Sequence, residues 1–413
     1  MSTQSDGSHA TADPGMARVS DIDPLEASVG TTECRITVIG AMPPPYGGAA
    51  KNTAIIADAL ERKGVDVVRL DTAVKGSVLH QRGLRYHLNR LSLFCRNMTR
   101  LVGCKLAYMV PDGGLGLLYT LGYVIHLRVW GARFYFHHRN YSHINRPNAI
   151  MRTILLLSNR RATHIFLDGE MRRAFDAAYS VTTDKRVVTN AATNDVSFPA
   201  SRTGPQADSD KVVIGYLSNL TNEKGFDVTV DAFEELASIS PRFQFMLGGE
   251  PAGAIERERL ESAIRVLGDR LDHRGAVFGE AKARFFADVD IFVFPTRFKQ
   301  EAQPNVIYEA MVAGCYIIAT ARACIPEMLR GIPSSLVEDD ADLTANLVQQ
   351  IVRAAECDDW TARSEAIRIA YARVVLESRQ NFDALLSELV ASSCRREVKR
   401  GAVACVNRKQ GHS

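Results

Sequence analysis

Short apolar runs alternate with amphipathic segments along the first half of the chain. CRITVIGA at 34–41 is a β-rich apolar run, KNTAIIADALERKG at 51–64 has apolar residues at helical spacing, and VDVVRLD at 65–71 is again strand-like. Strand, glycine-bearing loop, helix and strand form a βαβ unit, which implies a parallel sheet. Further short strands are predicted at 104–111, 132–138, 162–168 and 185–191. The first half therefore predicts one α/β domain.

A second series of the same kind follows a stretch rich in Pro, Gly, Ser and Asp, which is typical of a linker. Strands are predicted at 211–218, 241–249, 290–296 and 315–320, and helices at 226–240, 254–268 and 304–314. The region 342–389 is helical in character. The predicted organisation is a disordered tail at 1–32, a first α/β domain at 33–197, a linker at 198–210, a second α/β domain at 211–370, a helix crossing back at 371–392 and a basic flexible tail at 393–413.

Length and charge refine this picture. A chain of 413 residues is too long for one ordinary core, which agrees with two domains. The net charge is only +3, yet Asp112 is the only acid between Thr72 and Leu167, against fourteen lysines and arginines. Such segregation indicates that the first domain meets an anionic partner.

The segment 76–103 is the most basic amphipathic stretch of this half. Apolar residues recur at 84, 88, 91, 95, 98 and 102, and five arginines are interleaved with them: Arg82, Arg85, Arg90, Arg96 and Arg100. A helix of this kind can lie on an anionic membrane, although an ordinary solvated helix face is the alternative. Nucleic acid is not expected as a partner, because no aromatic stacking platform or DNA-binding motif accompanies the charge.

The eight cysteines are scattered and form no CxxC pair or metal-binding spacing. They predict reduced, mostly buried thiols in a cytosolic protein. No apolar stretch approaches the ~18–20 residues that a membrane span needs, and the first thirty residues lack the pattern of a signal peptide. The expected location is the cytoplasm, with peripheral binding at the inner face of the cell membrane as an extension of the basic-helix hypothesis.

The stretch EAQPNVIYEAM at 301–311 holds two glutamates eight positions apart. Pro304 suits the first turn of a helix and Gly314 its C-terminal cap, so Glu301 is predicted in a loop and Glu309 inside the helix. The loop follows a strand, at the edge where open α/β sheets bind ligands, and the helix N-terminus favours a phosphate. Alternatively, both acids are simply solvated.

A second polar loop, NLTNEKG at 219–225, also follows a predicted strand of the same sheet. Lys224 is therefore placed to meet an anionic group in the same crevice as the glutamates, although an ordinary exposed lysine is the alternative. LGGE at 247–250 adds another glycine-bearing turn after a strand.

The ordered set of motifs resembles family 4 glycosyltransferases of the GT-B fold. The set comprises PPPYGG, YLSNLTNEKG, MLGGEP, FVFPT, E-x7-E and IIATARACIPE, and it extends from about Arg35 to Leu389. The resemblance implies two Rossmann-like domains facing across a cleft, an acceptor domain first and a nucleotide-sugar donor domain second. It also implies a retaining transfer of a sugar from a nucleotide-diphosphate sugar to a glycan or lipid-linked acceptor, in synthesis of a surface polysaccharide or glycolipid.

The resemblance further implies a role for each matching residue of the second domain. Glu301 would contact the donor sugar beside the reacting carbon, and Glu309 would hold the ribose hydroxyls. Lys224 would neutralise the donor diphosphate, while backbone N–H groups near Asn305 and Val306 would cradle the phosphates. No cofactor and no metal ion is implied, and nothing similar to a DxD metal motif is evident.

In the first domain, Gly47 and Gly48 match the glycine turn that lets the backbone approach the donor. A histidine after a first-domain strand would line the sugar site, and the sequence offers both His137 and His138. The donor-binding turn also contains Asn219, where the family often has an arginine. This departure removes one positive charge from the predicted diphosphate site. It keeps open the alternative of a catalytically silent nucleotide-sugar-binding scaffold. A GT-B sugar-nucleotide epimerase is a separate alternative, which would need several carboxylates and histidines in one sugar pocket.

Overall fold

The structure is a computed structural model that describes residues 34–44, 47–74, 84–194 and 210–409, with side chains described as far as residue 394. The predicted tail at 1–32, residues 198–209 of the predicted linker, residues 76–83 of the predicted basic helix and residues 410–413 of the predicted C-terminal tail lie outside the described residues. The described residues belong to one compact unit, which contains both sheets described below.

The first sheet has six parallel strands in the order β2-β1-β3-β4-β5-β6. Most of its strand residues are buried, as expected for a sheet covered by helices on both faces. The strands are β1 Arg35–Gly40, β2 Asp66–Asp71, β3 Leu106–Met109, β4 Arg133–His137, β5 Ala162–Phe166 and β6 Asp184–Val187. The helices are α1 Gly48–Arg62, α2 Leu84–Arg100, α3 Leu117–Val129, α4 Ser142–Asn145, α5 Ala149–Ser158 and α6 Gly169–Tyr179.

The second sheet is also six-stranded and parallel, in the order β12-β11-β10-β7-β8-β9. Its strands are β7 Val212–Leu217, β8 Phe243–Gly248, β9 Leu271–His273, β10 Ile291–Phe294, β11 Tyr316–Thr320 and β12 Ser334–Val337. Its helices are α7 Phe226–Ile239, α8 Ala254–Leu267, α9 Gly279–Ala287, α10 Asn305–Ala313, α11 Ile325–Met328 and α12 Leu343–Ala355. The two sheets confirm the predicted α/β architecture of two Rossmann-like domains.

A long C-terminal helix, α13 Trp360–Lys409, contacts both halves. Tyr371 is buried in a hydrophobic cluster that contains residues of both halves, whereas Phe382, Leu385 and Leu389 are buried in the core of the first sheet. The backbone of α13 is helical well beyond the predicted 371–392. Its apolar residues therefore join the two cores through one continuous element.

Several elements differ from the prediction for local reasons. The three-residue β9 and the four-residue β12 are too short to show an alternating pattern, and α9 was not predicted. The strand predicted at 185–191 ends at Val187, because residues Asn190–Thr193 form a 3-10 turn.

The prediction that the cysteines are reduced thiols is wrong for two of them. Cys34, just before β1, and Cys394, in α13, are joined by a disulfide across 360 residues of sequence. The pairing depends on the return of α13 to the first sheet, which cysteine spacing alone does not reveal. Among the remaining described cysteines, Cys315 and Cys324 are buried and Cys95 is exposed. Within the described part of the chain, no helix is both long and apolar enough to cross a bilayer.

Candidate active site

The carboxyl ends of β7 and β10 bring the predicted lysine and the first glutamate together. Lys224 lies in the turn between β7 and α7, and Glu301 lies in the loop between β10 and α10. The Lys224 Nζ is 2.5 Å from Glu301 Oε2, and the Thr296 hydroxyl donates a hydrogen bond to the same oxygen at 3.3 Å. Glu301 is buried and Lys224 half-buried. The two side chains therefore form a partly desolvated ion pair at the ligand-binding edge of the sheet.

Gly225 explains how the lysine turn reaches this loop. Its φ is +84°, and a Cβ at this position would lie only 2.1 Å from the carbonyl oxygen of Pro295. Only glycine permits such a close approach between the turn and the end of β10. The Thr221 side chain accepts a hydrogen bond from the Lys224 backbone N–H and stabilises the turn. The Lys224 Nζ also lies 4.6 Å from the centre of the Phe298 ring.

Two helix N-termini without side-chain caps meet beside this ion pair. The N-cap residues are Gly47 for α1 and Pro304 for α10, and neither accepts a capping hydrogen bond through a side chain. A Cβ on Gly48 would lie 3.5 Å from the Asn305 Nδ2, so the two helix starts are close neighbours. Free N–H groups and the helix dipole make such a position favourable for an anion. The Asn52 Nδ2 of α1 and the Asn305 Oδ1 of α10 are each buried without a hydrogen-bond partner.

The second glutamate lies one turn inside α10 and is held by a lysine that the sequence analysis did not identify. Glu309 is buried, and the Lys282 Nζ of α9 lies 3.1 Å from each of its carboxylate oxygens. Val306 is half-buried in the first turn of the same helix. The helix ends at Gly314, whose φ of +78° matches the predicted C-terminal cap. Both glutamates of the motif are therefore buried, each with a lysine partner.

His137 ends β4 and is almost fully buried. Its Nδ1 lies 2.5 Å from the Tyr108 hydroxyl and 3.4 Å from an Arg139 terminal nitrogen. Because the arginine can only donate, the shared Nδ1 acts as the acceptor and the proton lies on Nε2. Burial, together with the charge of Arg139, lowers the pKa of His137 well below 6.5, although the Val188 carbonyl acts in the opposite direction. His137 is therefore neutral at physiological pH.

His138 points to the opposite face of the sheet and belongs to a chain of three imidazoles. Its Nδ1 lies 2.9 Å from the His143 Nε2, and its Nε2 lies 2.9 Å from the His164 Nδ1. Phe166 and Phe175 pack against its ring. Both nitrogens of His138 are thus occupied within the core, which leaves His137 better placed for a role in a ligand site. None of the described contacts joins either histidine directly to Glu301.

The other residues predicted for the donor site are exposed. Gly47 and Gly48 lie at the surface of the α1 start, and Asn219 is exposed in the turn after β7. The structure thus brings Gly48 and Asn305 together and pairs Lys224 with Glu301, whereas no described contact connects Asn219 to that pair.

A buried polar seam between the two sheets was not predicted. The Asn190 backbone N–H donates to the Gln303 Oε1 at 2.5 Å, and the Asn190 Nδ2 donates to the Gln303 carbonyl at 2.9 Å. The Gln303 Nε2 in turn donates to the Leu167 carbonyl at 3.3 Å. On the first-domain side, Arg139 donates to the Asn190 Oδ1 at 2.8 Å. In the sequence, the only signal for this seam was the position of Gln303 between the two glutamates.

No cluster of three or more histidine, cysteine, aspartate or glutamate side chains suited to a metal ion is found within the described ranges.

The sequence of the second half matches a known family. Residues 211–356 match the family described as glycosyl transferases group 1. Over 232 residues, the chain is 21% identical to the phosphatidylinositol N-acetylglucosaminyltransferase gpi3 subunit of Schizosaccharomyces pombe. That alignment covers 55% of this chain and 50% of the relative, so the chain spans about half the length of this curated protein.

Solved structures resemble the chain over most of its length. Anabaena HepE, crystallised with UDP and glucose, has a TM-score of 0.59 at 18% identity, covering 86% of this chain and 99% of that one. Sucrose-phosphate synthase of Thermosynechococcus elongatus has a TM-score of 0.57 at 17% identity, covering 90% and 99%. The fold is GT-B. Within this fold, residues 211–356 are the part that matches the group 1 glycosyltransferase family, and the candidate site described above lies where the two GT-B halves meet.

Proposed function

We propose that the protein is a retaining glycosyltransferase that uses a nucleotide-diphosphate sugar as donor. The observation that carries the proposal is the meeting of two uncapped helix N-termini, α1 and α10, near the partly buried Lys224–Glu301 pair. This arrangement offers N–H donors to an anion, beside a lysine that would exchange its Glu301 partner for that anion. The group 1 domain and the UDP bound in HepE support a nucleotide-sugar donor.

Each residue of the site has a place in this reaction. Negative charge develops on the departing diphosphate, where Lys224 and the N–H groups at the start of α10 stabilise it. Glu301 faces the sugar and stabilises the oxocarbenium-like transition state. Glu309, oriented by Lys282, accepts hydrogen bonds from the ribose hydroxyls. Retention would follow from attack of the acceptor on the same face of the sugar that the diphosphate leaves, with the phosphate taking the acceptor proton.

A thermal-shift screen with UDP, GDP, ADP and their sugars tests the donor directly. A ligand present at 100 times its Kd stabilises a protein by about 2.7 kcal/mol, which gives a clear rise in Tm. Absence of a response to every nucleotide would contradict the proposal. Donor hydrolysis by wild type and Glu301→Gln then separates catalysis from binding, since equally negligible turnover with retained nucleotide binding would indicate the silent scaffold.

The surface of α2 and α3 supports a lipid-linked acceptor at an anionic membrane. The apolar stripe predicted for α2 faces solvent, because the helix buries Asn97 and half-buries Phe94 on its other side. We define the apolar–basic face as the exposed leucines of α2 and of the chain around the start of α3, together with the exposed arginines of α2. Its leucines are Leu84, Leu88, Leu91, Leu115 and Leu118, between 49% and 81% exposed.

The charge of this face fits an anionic surface. Asp112, the only acid of the 72–167 region, is paired with Arg90 at 3.0 Å, whereas Arg85, Arg96 and Arg100 are exposed. In a parallel α/β sheet, helices begin at the carboxyl edge of the strands, so the starts of α2 and α3 lie at the edge of the first sheet that bears the predicted site. We propose that the protein works in the cytoplasm, with this face on the inner leaflet and its acceptor in surface glycan or glycolipid synthesis.

A further inference from the structure

Arg139 is a buried cation without an anionic partner. It is the only lysine or arginine among the buried residues of the described chain, with 9% of its surface exposed. Its described partners are neutral: it donates to the Asn190 Oδ1 at 2.8 Å and lies 3.4 Å from the His137 Nδ1. Its Nε is buried without a hydrogen-bond partner. No carboxylate of the described residues forms an ion pair with it.

Such a charge is unfavourable unless something compensates it. Transfer of an ionised group out of water costs several kcal/mol unless it is paired and hydrogen-bonded, and arginine cannot lose its proton to escape that cost. The buried carboxylates of the predicted site meet this requirement, because Glu301 is paired with Lys224 and Glu309 with Lys282. Arg139 does not meet it, so a bound anion would offset the cost of burying this charge.

The position of Arg139 connects it to the predicted site. It lies two residues after the last residue of β4, at the carboxyl edge of the first sheet. Asn190 links its guanidinium to Gln303, which is two residues from Glu301. Arg139 is therefore one side chain away from the loop that carries the first glutamate, on the opposite side of the seam between the halves.

We propose that the Arg139 guanidinium binds a phosphate group of the substrate between the two GT-B halves. The planar guanidinium matches the tetrahedral oxygens of a phosphate, which it can hold through two parallel hydrogen bonds. A phosphate fits better than an isolated carboxylate because the uncapped starts of α1 and α10 add further N–H donors. Lys224 is already paired with Glu301. Arg139 contributes a further positive charge, which no described carboxylate neutralises.

This inference rests on the proposed function, and the phosphate has two sources in that reaction. It belongs either to the diphosphate of the donor or to a phosphate of the acceptor. Both sources would present a phosphate group to the Arg139 guanidinium. Calorimetric titration with UDP, GDP or ADP, whichever shifts the wild-type Tm most, tests the donor. Titration with inorganic pyrophosphate, alone and with that nucleotide saturating, tests the anion site without a base or ribose.

The variants are Arg139→Met, which removes the charge, and Arg139→Lys, which keeps it without the planar fork. Arg172→Met, at an exposed arginine of α6, is the matched control. We expect Arg139→Met to raise the Kd of pyrophosphate at least tenfold, Arg139→Lys to have an intermediate effect, and the control to have none. Because the charge is unpaired, the Tm of ligand-free Arg139→Met should equal or exceed that of wild type.

The measured Kd values distinguish the donor diphosphate from an acceptor phosphate. A nucleotide Kd that rises together with the pyrophosphate Kd assigns Arg139 to the donor diphosphate. Loss of pyrophosphate binding only in the nucleotide-saturated protein assigns it to an acceptor phosphate. Unchanged Kd values in Arg139→Met, or a ligand-free Tm well below wild type in both variants, would show a structural arginine and overturn the inference. If wild type binds pyrophosphate but no nucleotide, the proposed function fails while the anion site stands.

Discussion

The Lys224 Nζ lies 2.5 Å from the Glu301 Oε2, so the lysine expected to bind the diphosphate is paired with the carboxylate expected to face the sugar. Glu301 is 9% exposed at its side chain and Lys224 23%. In this protein, each of the two charges compensates the other. A bound diphosphate would compete with Glu301 for the lysine, which couples donor binding to the position of the carboxylate.

We expect Glu301→Gln to separate catalysis from binding. The amide keeps the shape of the side chain but removes the charge, so kcat should fall by roughly 10²–10³, as for other lost electrostatic groups. Nucleotide affinity should stay constant or increase, because Lys224 is no longer neutralised. Steady-state kinetics and calorimetric titration with the nucleotide measure both effects. A tenfold loss of nucleotide affinity in Glu301→Gln would contradict this coupling.

Lys224→Met should change the nucleotide affinity in the opposite direction from Glu301→Gln. It removes a diphosphate ligand and leaves Glu301 buried without its cation, so we expect weaker nucleotide binding and a free energy of unfolding lowered by about 1–3 kcal/mol. Urea denaturation of Lys224→Met, Glu301→Gln and the double variant gives the coupling between the two side chains. Lys299→Met, at an exposed lysine of the same loop, is the control. If the changes in unfolding free energy of the two single variants simply add in the double variant, the two side chains are not coupled.

Glu309 provides a test that distinguishes the ribose from the phosphates. The Lys282 Nζ lies 3.1 Å from both carboxylate oxygens and orients the group toward one face of α10. We expect Glu309→Gln to raise the Kd of the nucleotide about tenfold, in line with a lost hydrogen bond to a charged group. The Kd of inorganic pyrophosphate should not change. Equal losses for the two ligands would place Glu309 at the phosphates instead.

The motif at 301–311 shows how far the sequence could predict the site. Pro304 and Gly314 mark the ends of a helix through backbone rules, so the loop position of Glu301 and the helical position of Glu309 followed from local chemistry. The parallel strands were likewise predictable, because their apolar runs are bounded by glycine and polar turns. Local patterns therefore predicted most strands of both sheets and the position of the loop that carries Glu301.

Contacts between the two halves could not be predicted in the same way. The Asn190–Gln303 bonds join residues 113 positions apart, and the Cys34–Cys394 disulfide joins residues 360 apart. Each depends on how the two sheets and α13 are arranged, which no local pattern encodes. The choice between His137 and His138 failed for a related reason. Adjacent strand residues point to opposite faces, and only the packed structure shows which face holds the other histidines.

The imidazole chain predicts a specific loss of stability in acid. Burial lowers the pKa of His143 to about 4 and, with nearby positive charges, that of His164 to about 3. Since both values lie below the unfolded value near 6.5, the unfolded chain binds more protons than the folded one as pH falls from 6.5 toward 4. The free energy of unfolding should therefore fall by about 1.4 kcal/mol per pH unit for each histidine.

Urea denaturation at a series of pH values between 7.5 and 5 measures this slope. His164→Phe, between the stacked rings of Phe136 and His138, should reduce it by the contribution of one histidine. His87→Phe, at an exposed position of α2, is the control and should leave the slope unchanged. An identical pH dependence in wild type and His164→Phe would show that His164 binds a proton as readily in the folded protein as in the unfolded chain.

Sedimentation with vesicles tests the apolar–basic face. Wild type should bind vesicles that contain phosphatidylglycerol more tightly than pure phosphatidylcholine, and salt should weaken that binding, since each near-surface charge contributes about 1 kcal/mol. Arg85→Glu combined with Arg96→Glu should reduce binding at least tenfold, and Leu88→Ser with Leu115→Ser should reduce it at any salt concentration. Arg172→Glu with Ile255→Ser, at exposed positions of α6 and α8, is the matched control. If the control pair weakens binding as much as the face variants, the interaction is nonspecific and the face is not the docking surface.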